Sequence, residues 1–190
     1  MPKQKITKEM VVEAAFELAR AEGAEHITVN SIARKLSCSV QPIYSYCQNM
    51  EGLRQEVAVK AKEFVREYTS VLTDPEDLFR STGRAYLRLA EDEPNIFKIF
   101  IMHQRNNISS LYDLYASEAD PGVPEAVADK LGISISAAKE LHLNMLIYTI
   151  GIGTIFSVTS PGISPEEIFS RQEKAYNAFL EQALKEKIHE

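Results

Sequence analysis

The side chains best suited to recognition chemistry lie in one stretch, residues 27–53, with the sequence ITVNSIARKLSCSVQPIYSYCQNMEGL. Its spacing predicts a helix, a turn over residues 37–39, and a second short helix that has Ser39 and Gln41 at its start. A helix-turn-helix of this form presents the start of its second helix to base edges in the DNA major groove. Glutamine can bond adenine there through two hydrogen bonds. We therefore expect Ser39 and Gln41 to read DNA; the alternative for Gln41 is a solvated polar residue.

The residues next to Gln41 offer the other kinds of contact that a DNA reader needs. Val40 and Pro42 carry apolar surface that suits a thymine methyl group. Tyr44 and Tyr46 could donate hydroxyl hydrogens to phosphate while their rings pack locally. The alternative for both tyrosines is core packing, and for Tyr44 the two roles are compatible.

Basic residues near the predicted helix-turn-helix are few. Arg34 and Lys35 are candidate anchors for the DNA backbone, and Lys5 could reach the adjacent groove. The alternative for all three is a solvated charged face. Few basic side chains imply a modest salt dependence of DNA binding per subunit. The expected DNA-binding residues are Thr28, Lys35, Ser39, Val40, Gln41, Pro42, Tyr44, Ser45 and Tyr46.

No set of residues in the sequence is suited to catalysis or to metal binding. There is no phosphate-binding loop and no nucleophile with a recognisable base. The four histidines are far apart in the sequence and fit no metal-ligand spacing: His26, His103, His142 and His189. We therefore expect no enzymatic activity, no cofactor and no bound metal.

Two cysteines, Cys38 and Cys47, bracket the second helix of the motif. A redox switch there would act directly on DNA reading; the alternative is two small buried thiols. Two cysteines do not make a disulfide scaffold, and the first ten residues lack the apolar region of a signal peptide. The apolar segment 141–158 is near the lower length limit for a membrane span and contains polar residues. We expect a cytoplasmic protein without a membrane segment.

Helical spacing of apolar residues, together with capping signals, predicts an all-α chain. A first helix begins at Thr7 and ends at Gly23, where a left-handed cap favours glycine. After the motif, a long helix is expected from residue 50 or 51 to about residue 72. Further helices are expected over about residues 75–92, 94–102, 110–119, 124–131 and 135–157, and from 165 to the tail. No alternating run requires a strand.

The charge distribution separates a short N-terminal part from the rest of the chain. Lys and Arg outnumber Asp and Glu by seven to six in residues 1–54, whereas residues 55–190 contain fourteen and twenty-one. The acidic surplus therefore belongs to the larger part. The N-terminal part is only weakly basic for a DNA-binding domain, and a dimer would double its phosphate contacts. We predict a three-helix DNA-binding domain over residues 1–54, joined by a long helix to a helical ligand-binding and dimerisation domain over residues 55–190.

Residues 6–54 resemble the DNA-binding domain of the TetR family of transcriptional regulators. The matching residues, in order, are Ile6, Thr7, Ala14, Ala15, Leu18, Gly23, Thr28, Val29, Ile32, Ala33, Ser39, Ile43, Tyr44, Tyr46, Glu51, Gly52 and Leu53. The resemblance implies a homodimer. It also implies that Thr28 forms a hydrogen bond to a DNA phosphate; the alternative is that Thr28 only caps the helix. The chain departs from the family pattern at Ser37, usually glycine, at Cys47, usually aromatic, and at Met50, often lysine. We therefore assign no phosphate contact to the Met50 side chain.

The larger part of the chain carries aromatic and methionine side chains with a few polar groups among them, as a small-molecule pocket would. The same pattern suits a helical core, which is the simpler interpretation for each residue alone. We expect a partly apolar effector, with His103 the first polar candidate and Asn144 and His142 next. The candidate pocket residues are Phe79, Tyr86, Phe100, His103, Tyr112, Asn144 and Tyr148.

Two apolar helix faces near the end of the chain suit dimer formation. Two copies of each would form a four-helix bundle across a two-fold axis. The alternative is that both faces pack within one subunit. The candidate interface residues are Leu143, Ile147, Ile150, Gly151 and Thr154 on one helix and Tyr176, Phe179, Leu180 and Ala183 on the next.

These features together predict a ligand-responsive transcriptional regulator. The expected form is a homodimeric repressor that binds a palindromic operator in double-stranded DNA and leaves it when a small molecule binds. Two alternatives stay open. One is a transcriptional activator, and the other is a small-molecule-binding module that acts mainly through a protein partner, as the low basicity of residues 1–54 would allow.

Overall fold

The computed structural model describes residues 6–46, 49–159 and 162–186, and within these ranges it is helical without a strand. The α-helices are α1 (Lys8–Glu22), α2 (Val29–Lys35), α3 (Val40–Tyr46), α4 (Met50–Leu72), α5 (Leu78–Asp92), α6 (Pro94–Ile101), α7 (Leu111–Glu118), α8 (Val123–Leu131), α9 (Ile135–Val158) and α10 (Pro165–Glu186). Two short 3₁₀ helices, Ala24–His26 and Pro75–Asp77, precede α2 and α5. The prediction of an all-α chain is confirmed.

Several helices begin at the capping residues that the sequence shows. The Thr7 hydroxyl oxygen accepts a hydrogen bond from the Met10 amide, and Ser110 and Ser134 cap α7 and α9 in the same way. Such oxygens satisfy amides that have no partner inside the first turn of a helix. Because these signals are local, most predicted helix starts lie within one or two residues of the observed ones. The exception is the helix expected from residue 75, where the chain forms the 3₁₀ helix Pro75–Asp77 and α5 begins at Leu78.

The end of α1 differs from the prediction in its backbone conformation. Gly23 has φ 105° and ψ 155°, so it is not in the left-handed helical conformation that we expected. This positive-φ extended region is open almost only to glycine. The Gly23 amide still closes the helix by donating to the Ala19 carbonyl. Glycine is therefore required at this position, for a different backbone reason from the one predicted.

The turn between α2 and α3 is a Schellman motif built without glycine. The Cys38 amide donates to the Ala33 carbonyl at 3.0 Å, and the Ser37 amide donates to the Arg34 carbonyl at 3.1 Å. Ser37 has φ 52°, in the left-handed region. A serine at this position carries a conformational cost that glycine avoids.

One compact unit consists of the chain up to Tyr68 together with Glu93–His103. It therefore contains α1, α2, α3, nearly all of α4, and also α6, which comes much later in the sequence. Two hydrogen bonds join the Arg20 guanidinium to the Glu93 carboxylate, and the Asn95 amide donates to the Arg20 carbonyl at 3.0 Å. The core side chains of this unit include Val11, Ala15, Ile27, Ile32, Ile43, Val57, Val65, Ile96 and Phe97.

The other compact unit consists of Thr69–Asp92 and the chain from Gln104 onward. Here α9 packs against α5, α8 and α10. The Gln172 side chain on α10 is buried and donates from Nε2 to Thr149 Oγ1 on α9 at 3.2 Å. A Cβ atom on Gly83 of α5 would lie 2.7 Å from that Nε2 atom, so glycine permits the close packing of α5.

Among the described helices, α9 is long and apolar enough to cross a membrane by length and composition alone. Its buried residues include Ala138, Leu141 and Met145, which form one core cluster with residues of α8 and α10. The core helix of a soluble protein passes the same test, and packing within its unit accounts for the apolar side chains on the buried face of α9.

Candidate nucleic-acid interface

Helix α3 turns one residue into the core and most of the others outward. Ile43 is fully buried, and it fixes the helix against the first unit. The exposed or half-buried residues are Ser39, Val40, Gln41, Pro42, Tyr44, Ser45 and Tyr46. The structure thus leaves every predicted contact residue of this helix at least partly exposed, and we call this set of residues the α3 surface.

Gln41 lies on the α3 surface with its side chain exposed. The main-chain carbonyl of Gln41 accepts a hydrogen bond from the Ser45 hydroxyl at 3.1 Å. This bond does not involve the side-chain amide of Gln41. Tyr44 is the most exposed aromatic of the surface, with 64% of its area accessible. These two side chains are available for hydrogen bonds to a ligand such as DNA.

Tyr46 makes a long-range hydrogen bond within the first unit. Its hydroxyl donates to the main-chain carbonyl of Ile6 at 2.9 Å. A tyrosine hydroxyl has a single hydrogen. In this structure that hydrogen is used by the Ile6 carbonyl. We had expected the Tyr46 hydroxyl to donate to a phosphate oxygen instead.

Thr28 is exposed and caps α2 through a reciprocal arrangement with Ser31. The Thr28 hydroxyl oxygen accepts from the Ser31 amide at 3.1 Å, and the Ser31 hydroxyl oxygen accepts from the Thr28 amide at 3.0 Å. The structure therefore shows the helix-cap role of Thr28. Its exposure leaves a phosphate contact as a prediction.

Three lysines of the first unit are paired with carboxylates. The ion pairs are Lys8 with Glu56 at 2.7 Å, Lys35 with Glu17 at 2.7 Å and Lys60 with Glu13 at 2.5 Å. Lys35, a predicted backbone anchor, is thus directed to α1. Arg34, in the last turn of α2, is exposed. Exposed ion pairs are worth at most about 1 kcal/mol, so phosphate can compete with Glu17 for Lys35.

Cys38 is a half-buried free thiol beside the turn before α3. Cys47, the other candidate for a redox switch, lies outside the described residues. Lys5, the predicted groove contact, lies outside them too.

The predicted pocket residues are divided between the two units. Phe100 and His103 belong to the first unit, and the other five belong to the second. His103 and Tyr112 are exposed, and the Tyr112 hydroxyl donates to the Glu140 carboxylate at 2.7 Å. Asn144 borders a cavity of about 10 Å³, enough for one water molecule. The candidate effector site remains a prediction.

A half-buried histidine is the centre of a polar and aromatic cluster in the second unit. His142 Nδ1 lies 2.9 Å from the Tyr115 hydroxyl, and the rings of Tyr115 and Phe79 each meet the imidazole edge-on at 5.2 Å. Burial lowers the pKa of His142 to about 4 and raises the pKa of Tyr115 to about 12. Burial also raises the pKa of the predicted pocket residue Tyr86.

The sequence ranked His142 behind His103, and it did not single out Tyr115. Only the crossing of α7 over α9 brings Tyr115 to His142, 27 residues away. A histidine in an apolar helix signals burial but does not identify its partner.

Comparison with known proteins decides the fold. A transcriptional regulator from Rhodococcus sp. Rha1 has a TM-score of 0.60 at 13% identity, over 94% of this chain and 98% of that one. A TetR-family transcriptional regulator from Haemophilus influenzae RD has a TM-score of 0.57 at 17% identity, over 90% and 94%. The chain has the fold of TetR-family regulators. The resemblance that residues 6–54 carry is thus confirmed at the level of the fold.

Sequence comparison adds one curated relative. The uncharacterised HTH-type transcriptional regulator YobS of Bacillus subtilis is 25% identical over 104 residues, which are 53% of this chain and 54% of the relative. The match thus spans about half the length of that curated relative. No family model matches the sequence.

Within this TetR-like fold, α9 keeps one face exposed along its second half. Ile147 and Ile155 are 42% and 54% exposed, and no atom lies within 4 Å of a Cβ built on Gly151. Beside them lies an open groove of about 380 Å³ between α9 and α10, lined also by Ile163. We call this region the α9 face.

The predicted dimer residues do not all lie on the α9 face. Leu143, Tyr176 and Ala183 are buried in the core of the chain itself, which corrects their assignment to an interface. Phe179 and Leu180 are half-buried and pack against the same core. Ile150 and Thr154 are half-buried, and the Thr154 hydroxyl donates to the Ile150 carbonyl. The packing of α10 on α9 therefore uses surface that the sequence pattern assigned to a partner.

The titratable side chains of the described residues show no candidate metal centre. Among the described residues, no group of three or more His, Cys, Asp and Glu side chains is arranged to hold a metal ion.

Proposed function

We propose that the chain is a ligand-responsive transcriptional regulator of the cytoplasm, and more specifically a homodimeric repressor that binds a palindromic operator and is released by a small molecule. The observation that carries the proposal is the α3 surface. Gln41 and Tyr44 are exposed there, on a helix anchored by the buried Ile43. The likeness to transcriptional regulators of the same fold supports this assignment.

In this proposal the two copies associate through the α9 face. Ile147, Gly151 and Ile155 form an apolar stripe with a glycine at its centre, so a partner helix can approach closely. An interface of this kind is isologous and relates the two copies by a two-fold axis. Two α3 surfaces related in this way would read half-sites whose centres lie about 34–36 Å apart or more.

Release by a small molecule requires that the effector favour a conformation that fits the operator poorly. Linkage sets the size of this effect, typically about 1–3 kcal/mol. In the second unit, His142 and Tyr115 are polar groups in an otherwise apolar and aromatic environment. A partly apolar effector with one polar group would suit such surroundings.

A second candidate function has support from the ion pairs of the first unit. Because Lys8, Lys35 and Lys60 are each paired with a carboxylate, little unpaired positive charge is displayed by these three residues. A small-molecule-binding module that acts mainly through a protein partner would not need that charge.

Selection of random duplex DNA on the purified full chain, followed by sequencing, separates the two functions. We expect a palindromic consensus from the repressor, and no enrichment from a module that works through a protein. We expect Gln41→Ala to weaken the preference at one position of each half-site, a change worth about 1–3 kcal/mol against the wrong base. The matched control is Gln104→Ala, an exposed glutamine of the second unit, which should keep the wild-type consensus.

A further inference from the structure

Two charged side chains of α10 border the apolar groove beside the α9 face. Glu167 and Arg171 are four residues apart on this helix, about one turn, and both line the groove. Both residues are exposed. The other described residues that line the groove carry no charge, and they include Ile147, Gly151 and Ile155. An apolar floor therefore has one negative and one positive group at its border.

Arg171 differs from the other arginines of the second unit. The others each pair with a carboxylate, and they are Arg80, Arg84, Arg88 and Arg105. Among the described residues, the Arg171 guanidinium and the Glu167 carboxylate have no ion-pair partner. The hydrogen bond from the Tyr148 hydroxyl, at 3.3 Å, goes to the main-chain carbonyl of Arg171 and does not involve its guanidinium. A pair at this spacing can form within one helix, but here it does not.

A two-fold axis would turn these two charges into reciprocal ion pairs. In an isologous interface, when residue i of one copy meets residue j of the other, residue j of the first also meets residue i of the second. Opposite charges one turn apart on a helix therefore complement the same two residues of a second copy that runs antiparallel. Charges that border an apolar helix interface choose the partner in this way in coiled coils.

We propose that Glu167 and Arg171 determine the partner of this chain: Glu167 of each copy pairs with Arg171 of the partner subunit, so that the groove accepts a second copy of the same chain. This inference rests on the proposed function, because it needs the dimer that forms through the α9 face. It adds the residues that distinguish the chain's own copy from another apolar helix.

Reversal of either charge tests this pairing, with sedimentation velocity of the full chain over a range of concentrations. Glu167→Arg places an arginine against Arg171 of the partner subunit, and Arg171→Glu places a glutamate against Glu167 of the partner subunit. Each variant has two repulsive contacts per dimer in place of two attractive ones. We therefore expect the dimer dissociation constant to rise about tenfold or more in each variant.

An equimolar mixture of the two variants makes the test specific. A Glu167→Arg copy and an Arg171→Glu copy have opposite charges at both contacts, so dimers should return at a concentration at which each variant alone is monomeric. Like charges one turn apart within α10 weaken a helix, and both copies in the mixture keep them. Rescue by mixing would therefore show that the charges act between copies and not within one helix.

Glu166→Arg is the matched control. Glu166 precedes Glu167 in the first turn of α10 and is exposed, but it does not line the groove. This variant makes the same change of net charge at the same end of the helix, and it should keep the wild-type dissociation constant. A far-UV circular dichroism spectrum of each variant checks that the helices are intact.

The outcomes distinguish this inference from the proposed function. A wild-type chain that stays monomeric over the whole range would leave the groove to a different occupant, such as a small apolar molecule. The dimer of the proposed function and the inference would then fail together. If the wild-type chain dimerises but the mixture is not rescued, or if Glu166→Arg dissociates as readily as Glu167→Arg, only the charge pairing is overturned.

Discussion

At the scale of single residues, Ser37 occupies the position where the family pattern has glycine. Its φ of 52° places an L-residue with a side chain in the left-handed region. We expect Ser37→Gly to raise the free energy of unfolding by about 0.5–1 kcal/mol, because glycine adopts this conformation without the clash of a Cβ atom. Urea-induced unfolding followed by circular dichroism measures the change.

The control for Ser37→Gly is the same substitution two residues later. Ser39 is not among the described non-glycine residues with positive φ. At that position glycine gains no relief and adds entropy to the unfolded chain, so Ser39→Gly should lower stability slightly. Equal effects of the two substitutions would contradict the assignment of strain to Ser37.

The lowered pKa of His142 predicts how the stability of the fold depends on pH. Burial lowers its pKa in the folded chain to about 4 from the ordinary histidine value of about 6.5, because burial disfavours the charged form. The unfolded chain therefore binds more protons between these two values, and stability should fall as the pH decreases from about 6.5 to 4. The slope attributable to this residue reaches about 1.4 kcal/mol per pH unit at most.

His142→Gln tests this dependence because a glutamine cannot be protonated in this range. We expect the variant to lose stability at pH 7 but to show a flatter pH profile of unfolding below pH 6.5. The control is His26→Gln, an exposed histidine of the first unit. An unchanged profile in His142→Gln would show that other groups cause the acid sensitivity.

At the scale of elements, α9 has one face that packs within the chain and another that is open. Its buried face packs on α5, α8 and α10, while Ile147, Gly151 and Ile155 remain open. We expect Ile147→Glu to weaken the proposed dimer, since a carboxylate would be buried in an apolar interface. Sedimentation velocity over a range of concentrations would show a shift toward monomer.

The matched control lies on the same helix. Ile135 is the first residue of α9 and is 47% exposed, so Ile135→Glu introduces the same charge outside the α9 face. That variant should keep the wild-type oligomeric state. If both variants or neither dissociate, the α9 face is not the interface.

At the scale of the whole molecule, the compact units do not follow the order of the chain. The first unit recruits α6, and Ile96 and Phe97 are fully buried in it although they lie far beyond residue 54. Loss of a buried phenylalanine alone typically costs about 3–5 kcal/mol. We expect a fragment of residues 1–68 to unfold at a much lower temperature than the full chain does.

Restoring the missing helix should rescue that fragment. A variant in which residues 93–103 are joined to residue 68 through a Gly/Ser linker would regain cooperative thermal unfolding, followed by circular dichroism. A fragment of residues 1–68 that melts as cooperatively as the linked form would show that α6 is dispensable for the first unit.

The helices and the candidate DNA-binding helix could be predicted from the sequence alone. Caps such as Thr7, Ser110 and Ser134, and the apolar spacing of residues 29–46, act over a few residues, so they can be read without a fold. The outward position of Gln41 and Tyr44 follows from the same periodicity, because the buried Ile43 fixes which side of α3 faces the core.

Contacts between residues of different helices could not be predicted from the sequence, because they depend on the tertiary structure. Tyr115 reaches His142, Tyr46 reaches Ile6, and α6 joins the first unit, through contacts that span from 27 to about 75 residues of sequence. A stripe of apolar residues indicates that a helix face is buried, but it does not indicate which helix covers that face. For that reason Leu143, Tyr176 and Ala183, which the pattern gave to a partner subunit, lie in the core of the chain itself.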